Sequence, residues 1–294
     1  MKVPHVLQPY IAAGKDFIED DGPQAAAALS FYAVSALPPL VVFTLGLTGL
    51  FYSSDNAADQ LADQISQLLG PSVGEVISTI VEQRPETGEG FAMSAGLLVM
   101  LISASGFFSQ LQKALNQVWE VRIKSGAGIS RTIKNRTISI TVVLGTAFLF
   151  LTSLLLSTWI ASASSWLETN FGIDGSVAFF GQAVVSIAVI AGLFALMFKV
   201  LPDVKIDWKD VWGGAFTTAG LFVVAKYALA WYLGRSDLAA SYGGAGALVL
   251  VLFWVYFSSM IMLYGAELTQ VKAKENGRRI EPEPYAERVT EVAA

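Results

Sequence analysis

Long apolar stretches separated by short polar connections organise this chain. Six of them reach the roughly 20 residues that a helix needs to cross the ~30 Å hydrocarbon core of a bilayer: 26–52, 92–118, 137–161, 177–201, 210–233 and 245–270. None carries a run of charges. Helices are the expected form, because lipid leaves no water to satisfy an exposed backbone, and the alternating segments of a membrane barrel are absent from the pattern. The predicted fold class is therefore an all-α integral membrane protein with six transmembrane helices. Residues 1–24 hold scattered charges and no compact apolar core of a cleavable leader, so the first apolar run reads as an uncleaved anchor. Residues 25–272 form the membrane domain. Residues 273–294 are a polar tail, which reads as disordered after Gly277.

Lys and Arg set the expected orientation, since cytoplasmic loops carry the excess. Counted through six alternating spans, 16 fall on the side of the two termini and 2 on the other, with Lys226 inside a span. Both termini are predicted to be cytoplasmic. The external loop 53–91 has Arg84 against seven acids. Within it, Leu61, Ile65, Leu68 and Leu69 fall at helical spacing, Gly70-Pro71 breaks the pattern, and Ser72 and Glu75 have capping-box spacing for a second short helix. The loop reads as a helical hairpin, either covering the bundle or acting as a lid.

Composition sharpens this picture. Charged residues make up 15% of the 294, against about 25% in an ordinary soluble domain. There is no Cys and a single histidine, His5, so disulfides, thiolate metal sites and a Ser-His-Asp triad are not expected. No Walker-type phosphate loop is present. No cofactor and no metal site are predicted, and an enzymatic role is not expected.

A few intramembrane features could carry function. Pro38-Pro39 lies near the middle of the first span and removes two helix donors, freeing the carbonyls near Val34 and Ser35. It reads either as a break lining a cavity, as transporters place at substrate sites, or as a packed kink with Ser30 or Ser35 filling in. Lys226 is the charged residue well inside a span, flanked by Tyr227. It is either a functional group or a side chain snorkelling to the interface. Small residues (Ser103 to Gly106; Gly213, Gly214, Thr217 and Gly220; Gly243, Gly244 and Gly246) suit close helix packing or a path. The substrate-path candidates are Ser30, Tyr32, Pro38, Pro39, Ser105, Gly106, Lys226, Tyr227, Tyr242 and Gly243. At the inner interface the candidates are Lys113, Asn116, Asp203, Asp210 and Glu267. The polar end of the second span (Gln110, Gln112, Lys113, Asn116, Trp119, Glu120) reads as an anchor or a vestibule. Asp207 reads as the N-cap of the fifth helix with Asp210 at N3, and Glu267 as an interfacial ion-pair partner of Lys113 or the basic second loop, or as a group handling substrate or protons.

Several segments resemble the YihY/BrkB family of bacterial inner-membrane proteins. They are Ala25 to Tyr32 running into Leu37-Pro38-Pro39-Leu40; Ser103 to Gly106 followed by Ala114 to Trp119; Pro202-Asp203-Val204 with Trp208; Lys226-Tyr227; Tyr242 to Leu248; and Gly265 to Thr269. The family pattern often has Ala where this chain has Gly244. The resemblance implies the fold and a bacterial inner-membrane location. Some members have carried a ribonuclease label, but the acids here are scattered and the basic inner loop follows from orientation, so no nucleic-acid partner is expected. The expected function is transport of a lipid, other amphiphile or small solute, with membrane lipid as the surrounding partner. The alternative is a non-transporting envelope scaffold.

Overall fold

The computed structural model describes residues 7–49, 106–124, 176–233, 246–278 and 280–289, with side chains throughout except at 37–49, 176–183, 230, 233 and 247. The expected span 137–161, the 53–91 hairpin and the candidates Ser105, Tyr242 and Gly243 lie outside the described residues, as do the side chains of Pro38 and Pro39. The described part is mainly helical: α1 (Gln8–Glu19), α2 (Gly22–Gly49), α3 (106–118), α4 (Ser176–Val200), α5 (Trp208–Leu233) and α6 (Gly246–Glu275). Four short strands complete it: β1 (Val121–Ile123), β2 (Val204–Lys205), β3 (Glu281–Pro282) and β4 (Ala286–Arg288). Among the described residues one stretch, Leu248–Glu275, is long and apolar enough to cross a membrane, and Val184–Val200 is apolar but shorter.

The chain divides into two compact units. One comprises Met1–Asp20, Gln112–Val223 and Ile261–Ala294; the other comprises Asp21–Leu111 and Val224–Met260. In the first unit, α1 packs Ala13 against Leu268 and Val271 of α6, with Tyr10 and Tyr264 at the edge. The Tyr264 hydroxyl donates to the Tyr10 carbonyl at 3.1 Å, and the Lys272 ammonium sits 5.1 Å above the Tyr10 ring. A cation over an aromatic face is attracted by the ring quadrupole, so polar contacts reinforce the apolar seam.

Helices α5 and α6 cross through a reciprocal Gly–Thr contact. Gly214 backs onto Thr269, and Gly265 backs onto Thr218. Both threonines are wholly buried. Each turns its hydroxyl onto the carbonyl four residues back, Thr218 to Gly214 at 2.7 Å and Thr269 to Gly265 at 2.8 Å. A Cβ on Gly265 would stand 2.9 Å from Thr218 Cβ, and one on Gly214 the same distance from Thr269 Cβ. The backbones therefore approach as only small residues allow. The neighbouring Gly213 and Gly220 face open space, so of the small residues that the sequence marks on this helix, Gly214 is the glycine that packs.

The tail departs from expectation. It reads as disordered, yet β3 pairs antiparallel with β2, and β4 with β1. Each ladder sets opposite charges face to face: Arg122 opposite Glu287 at 2.9 Å, and Lys205 opposite Glu281 at 3.8 Å. Gly277, at φ 71°, ends α6 in a Schellman turn. Its N–H donates to the Lys274 carbonyl (3.0 Å), and the Arg278 N–H to that of Ala273 (3.1 Å). The glycine reverses the chain and delivers the tail back onto its own unit, so composition alone misreads the segment.

In the second unit, α2 buries Ala26, Leu29 and Ser30. It continues as helix across Pro38-Pro39 to Gly49, so the backbone there is not interrupted. The Ser30 and Ser35 hydroxyls donate to the carbonyls of Ala27 and Phe31, both at 2.8 Å. These are not the carbonyls that the prolines deprive of a donor. Gly106 lies against the Tyr32 ring, where a Cβ would come within 3.2 Å.

Candidate functional site

The five inner-interface candidates all belong to the first unit, and the path candidates that are described all belong to the second. Of the latter, Tyr32 and Gly106 meet, while Ser30 is buried and turned to its own helix. Lys226 is half-buried, and Tyr227 beside it is exposed. They lie on a stretch of α5 that also exposes Val224 and Trp231.

The inner-interface residues build a polar site around Asp203. The turn between α4 and α5 holds this carboxylate 1% exposed. Gln112 Nε2 donates to both of its oxygens (3.1 and 3.2 Å), Asn116 Nδ2 to Oδ2 (2.7 Å) and the Tyr285 hydroxyl to Oδ1 (2.9 Å). The Asp203 N–H returns a bond to Asn116 Oδ1 at 2.8 Å, and its carbonyl accepts from Glu283 N–H at 3.0 Å. A buried carboxylate persists only when donors replace its hydration, and three side chains do so here. Gln112 and Asn116 are four apart on α3, so one helical face presents both. Burial first, and then the bond to Asp203, push the Tyr285 hydroxyl above its usual range, keeping it a donor. Within the polar end of α3, Gln112 and Asn116 form a buried clamp on Asp203 and Trp119 is 2% exposed, while Lys113 and Glu120 are exposed.

Beside this clamp lies a cavity of 550 Å³ bounded by Trp119, Lys205, Asp207, Asp210, Arg278 and Glu281, with Ile206, Ala273 and Ile280 as apolar walls. The Asp207 carbonyl accepts from the N–H groups of Asp210 and Val211 at 3.0 and 3.3 Å, so Asp207 stands at the N-cap as expected. Its carboxylate is held by Arg278, which also reaches Asp210 at 3.1 Å.

Glu267 lies on α6, 1% exposed, and neither carboxyl oxygen has a hydrogen-bond partner. Its electrostatic neighbours are Asp20, the C-cap of α1, and Asp16 within that helix, with Lys274 opposing them. Asp20 comes close enough to interact, short of a well-formed hydrogen bond. The expected ion pair with Lys113 is not formed: Lys113 lies on the exposed face of α3. The α6 cation nearest this cluster, Lys274, reaches Glu120 at 2.8 Å. One turn on from Glu267, Gln270 leaves its Nε2 unpartnered, and so does Trp119 its indole nitrogen. Burial, then the Glu120 carboxylate, push Asp20 above the ordinary aspartate value of 3.8. Sequence reading does not find Arg278, Tyr285, Gln270 or Asp20. The scattered apolar positions Ile280, Tyr285 and Val289 beyond a capping Gly277 are the signal that a returning tail leaves.

Comparison with known proteins fits these segments. The family model described as virulence factor BrkB matches residues 13–290. A UPF0761 membrane protein of Psychrobacter sp. (strain PRwf-1) is 28% identical over 260 residues, covering 86% of this chain and 46% of its own length. One from Alkalilimnicola ehrlichii is 27% identical over 253 residues, covering 85% and 55%. One from Mannheimia succiniciproducens is 25% identical over 253 residues, covering 84% and 83%. The chain spans about half the length of the first two. No solved structure matches. With the model match running from α1 to the returning tail, the chain belongs to the BrkB virulence-factor family of membrane proteins.

Proposed function

We propose that this protein is a transporter of the bacterial inner membrane, moving a lipid, another amphiphile or a small solute, with Glu267 as its proton-exchanging group. The observation that carries the reading is Glu267 itself. It lies buried, with both oxygens unpartnered, on the one described helix that is long and apolar enough to span. An ionisable residue inside a membrane helix is costly and marks a functional site by default. A structural carboxylate gathers donors, as Asp203 does; Glu267 gathers none among the described residues. The groups facing it are Asp16 of α1, Asp20 at that helix's C-cap and Lys274 of α6, a set suited to passing a proton between carboxylates.

Six spans with both termini cytoplasmic form the topology of this proposal. Besides the 16-to-2 distribution of Lys and Arg, the strand pairing supports it. Residues 121–123 and 204–205 come from two connections that the charge rule puts on the side of the tail, and they pair with its residues 286–288 and 281–282 respectively. The scaffold alternative in which a free tail holds partners is weakened, because 280–289 is engaged within its own unit. No enzymatic step and no nucleic-acid partner belong to the proposal.

The test is reconstitution in liposomes containing a fluorescent phospholipid whose inner-leaflet copies are protected from dithionite. The wild type is expected to collapse that protection faster than empty liposomes do, with a rate that depends on pH. Glu267→Gln is expected to slow exchange at least tenfold and flatten the pH dependence while its melting temperature holds. An unchanged rate and pH profile in Glu267→Gln would remove the proton role; a wild type indistinguishable from empty liposomes would remove lipid transport.

A further inference from the structure

We propose that the cavity beside the Asp203 clamp binds a zwitterionic, amine-bearing phosphate head group, of the phosphoethanolamine type, supplied by a membrane lipid. The inference does not rest on transport. It concerns binding at a site separate from Glu267, and it stands or falls whether or not anything crosses the membrane.

Three observations lead to it. First, the lining has a donor with nothing to donate to. Trp119 is 2% exposed, borders the cavity, and its indole N–H has no partner. An indole nitrogen is a donor only, so its complement is an acceptor oxygen. Second, the charges around the cavity are unequal. Three carboxylates (Asp207, Asp210, Glu281) face two cations (Lys205, Arg278). Arg278 is committed to the two aspartates, whereas the Lys205–Glu281 pair is loose at 3.8 Å and both side chains are more than half exposed. A ligand that carries only negative charge would add to the carboxylate excess. A zwitterion matches the lining instead: its ammonium meets Glu281 and Asp207, and its phosphate oxygens meet Lys205 and, after a turn of the Trp119 ring, the indole N–H that is buried in the free protein. Third, the flank of the cavity carries exposed indoles. Asp207 and Asp210 sit at the start of α5, and Trp208, Trp212 and Phe216 form an outward stripe there, 47%, 40% and 52% exposed, with successive ring centroids 6.4 and 5.5 Å apart. In membrane proteins such indoles lie at head-group depth. The cavity volume of 550 Å³ is within the roughly 300–1,000 Å³ of small-ligand sites.

The experiment is native mass spectrometry of the full chain released from nanodiscs containing equal phosphatidylethanolamine and phosphatidylglycerol, with a parallel titration by soluble glycerophosphoethanolamine. The wild type is expected to retain the ethanolamine lipid in preference. Glu281→Gln at the exposed rim should fold normally and reduce that preference about tenfold, as expected for one lost charge-assisted contact. Trp119→Phe should weaken retention of the ethanolamine lipid. Retention of the lipid with no binding of the soluble analogue would identify the bilayer as the source. Binding of the soluble analogue with no preference among lipids would keep the zwitterion chemistry and overturn the lipid source. Equal retention of both lipids with no analogue binding, or an ethanolamine preference unchanged in both variants, would overturn the site.

Discussion

Replacing Asp203 by asparagine tests the clamp with almost no change of shape. The wild-type carboxylate accepts at both oxygens: Oδ1 from Gln112 and Tyr285, and Oδ2 from Asn116 and again Gln112. Asparagine keeps one acceptor oxygen and turns an NH₂ toward donors that the carboxylate had accepted from. Whichever way the amide is placed, at least one of Tyr285 and Asn116 faces a donor. Hydrogen bonds to a charged acceptor contribute about 1.5–3 kcal/mol each, and a buried donor left unmatched costs about 1–3 kcal/mol. Losing two such bonds at a site 1% exposed therefore destabilises the first unit by about 3–5 kcal/mol, a large part of the roughly 5–15 kcal/mol that folded proteins possess. Tyr285→Phe removes one donor and leaves the carboxylate with Gln112 and Asn116, so it should cost about 1–2 kcal/mol. The assay is thermal unfolding in detergent combined with limited trypsinolysis at Arg278, Arg279 and Arg288. Asp203→Asn should lower the melting temperature by on the order of 10 °C and release the tail to cleavage, with Tyr285→Phe intermediate. The double variant should cost less than the sum of the two, because the residues share one bond. A melting temperature and cleavage pattern in Asp203→Asn equal to wild type would refute the clamp.

Two further outcomes follow from the same unit. Gly265→Ala drives a Cβ to 2.9 Å from Thr218 Cβ, so overpacking should cost about 1–3 kcal/mol. Gly220→Ala, on an open face of the neighbouring helix, should cost nothing measurable by the same melt, and equal effects would dismiss the Gly–Thr crossing. Asp20 is held above its ordinary value by burial and Glu120. The folded state therefore favours its protonated form, and its contribution to stability is fully present below pH ~4 and lost as pH rises through the folded value. Asp20→Asn should make the melting temperature less sensitive to pH above 4; an unaltered pH slope would count against the Asp20–Glu120 repulsion.

What was legible in the sequence follows from local physics. Runs of apolar residues of spanning length announced helices at α2, α4, α5 and α6, because an apolar run of that length is a local feature that calls for a helix whatever its neighbours are. Asp207 was legible as an N-cap because a cap is a property of adjacent residues, and the segments of family resemblance were legible because they are contiguous. The partner of Asp203 was not, because Gln112, Asn116 and Tyr285 lie 82 to 91 positions away from it, and no local pattern encodes such distances. The tail was misread for the same reason: Glu, Pro and Arg at its composition make disorder the local answer, and only pairing with β1 and β2 after the Gly277 turn overrides it. Glu267 looked from the sequence like half of an interfacial ion pair. It was the tertiary structure that turned Lys113 outward on α3 and closed α1, with Asp16 and Asp20, over the carboxyl. Sequence thus determined which segments form long apolar helices. Whether a polar group within or beside them is matched or left without a partner was decided by packing, since matching depends on donors brought together from distant parts of the chain.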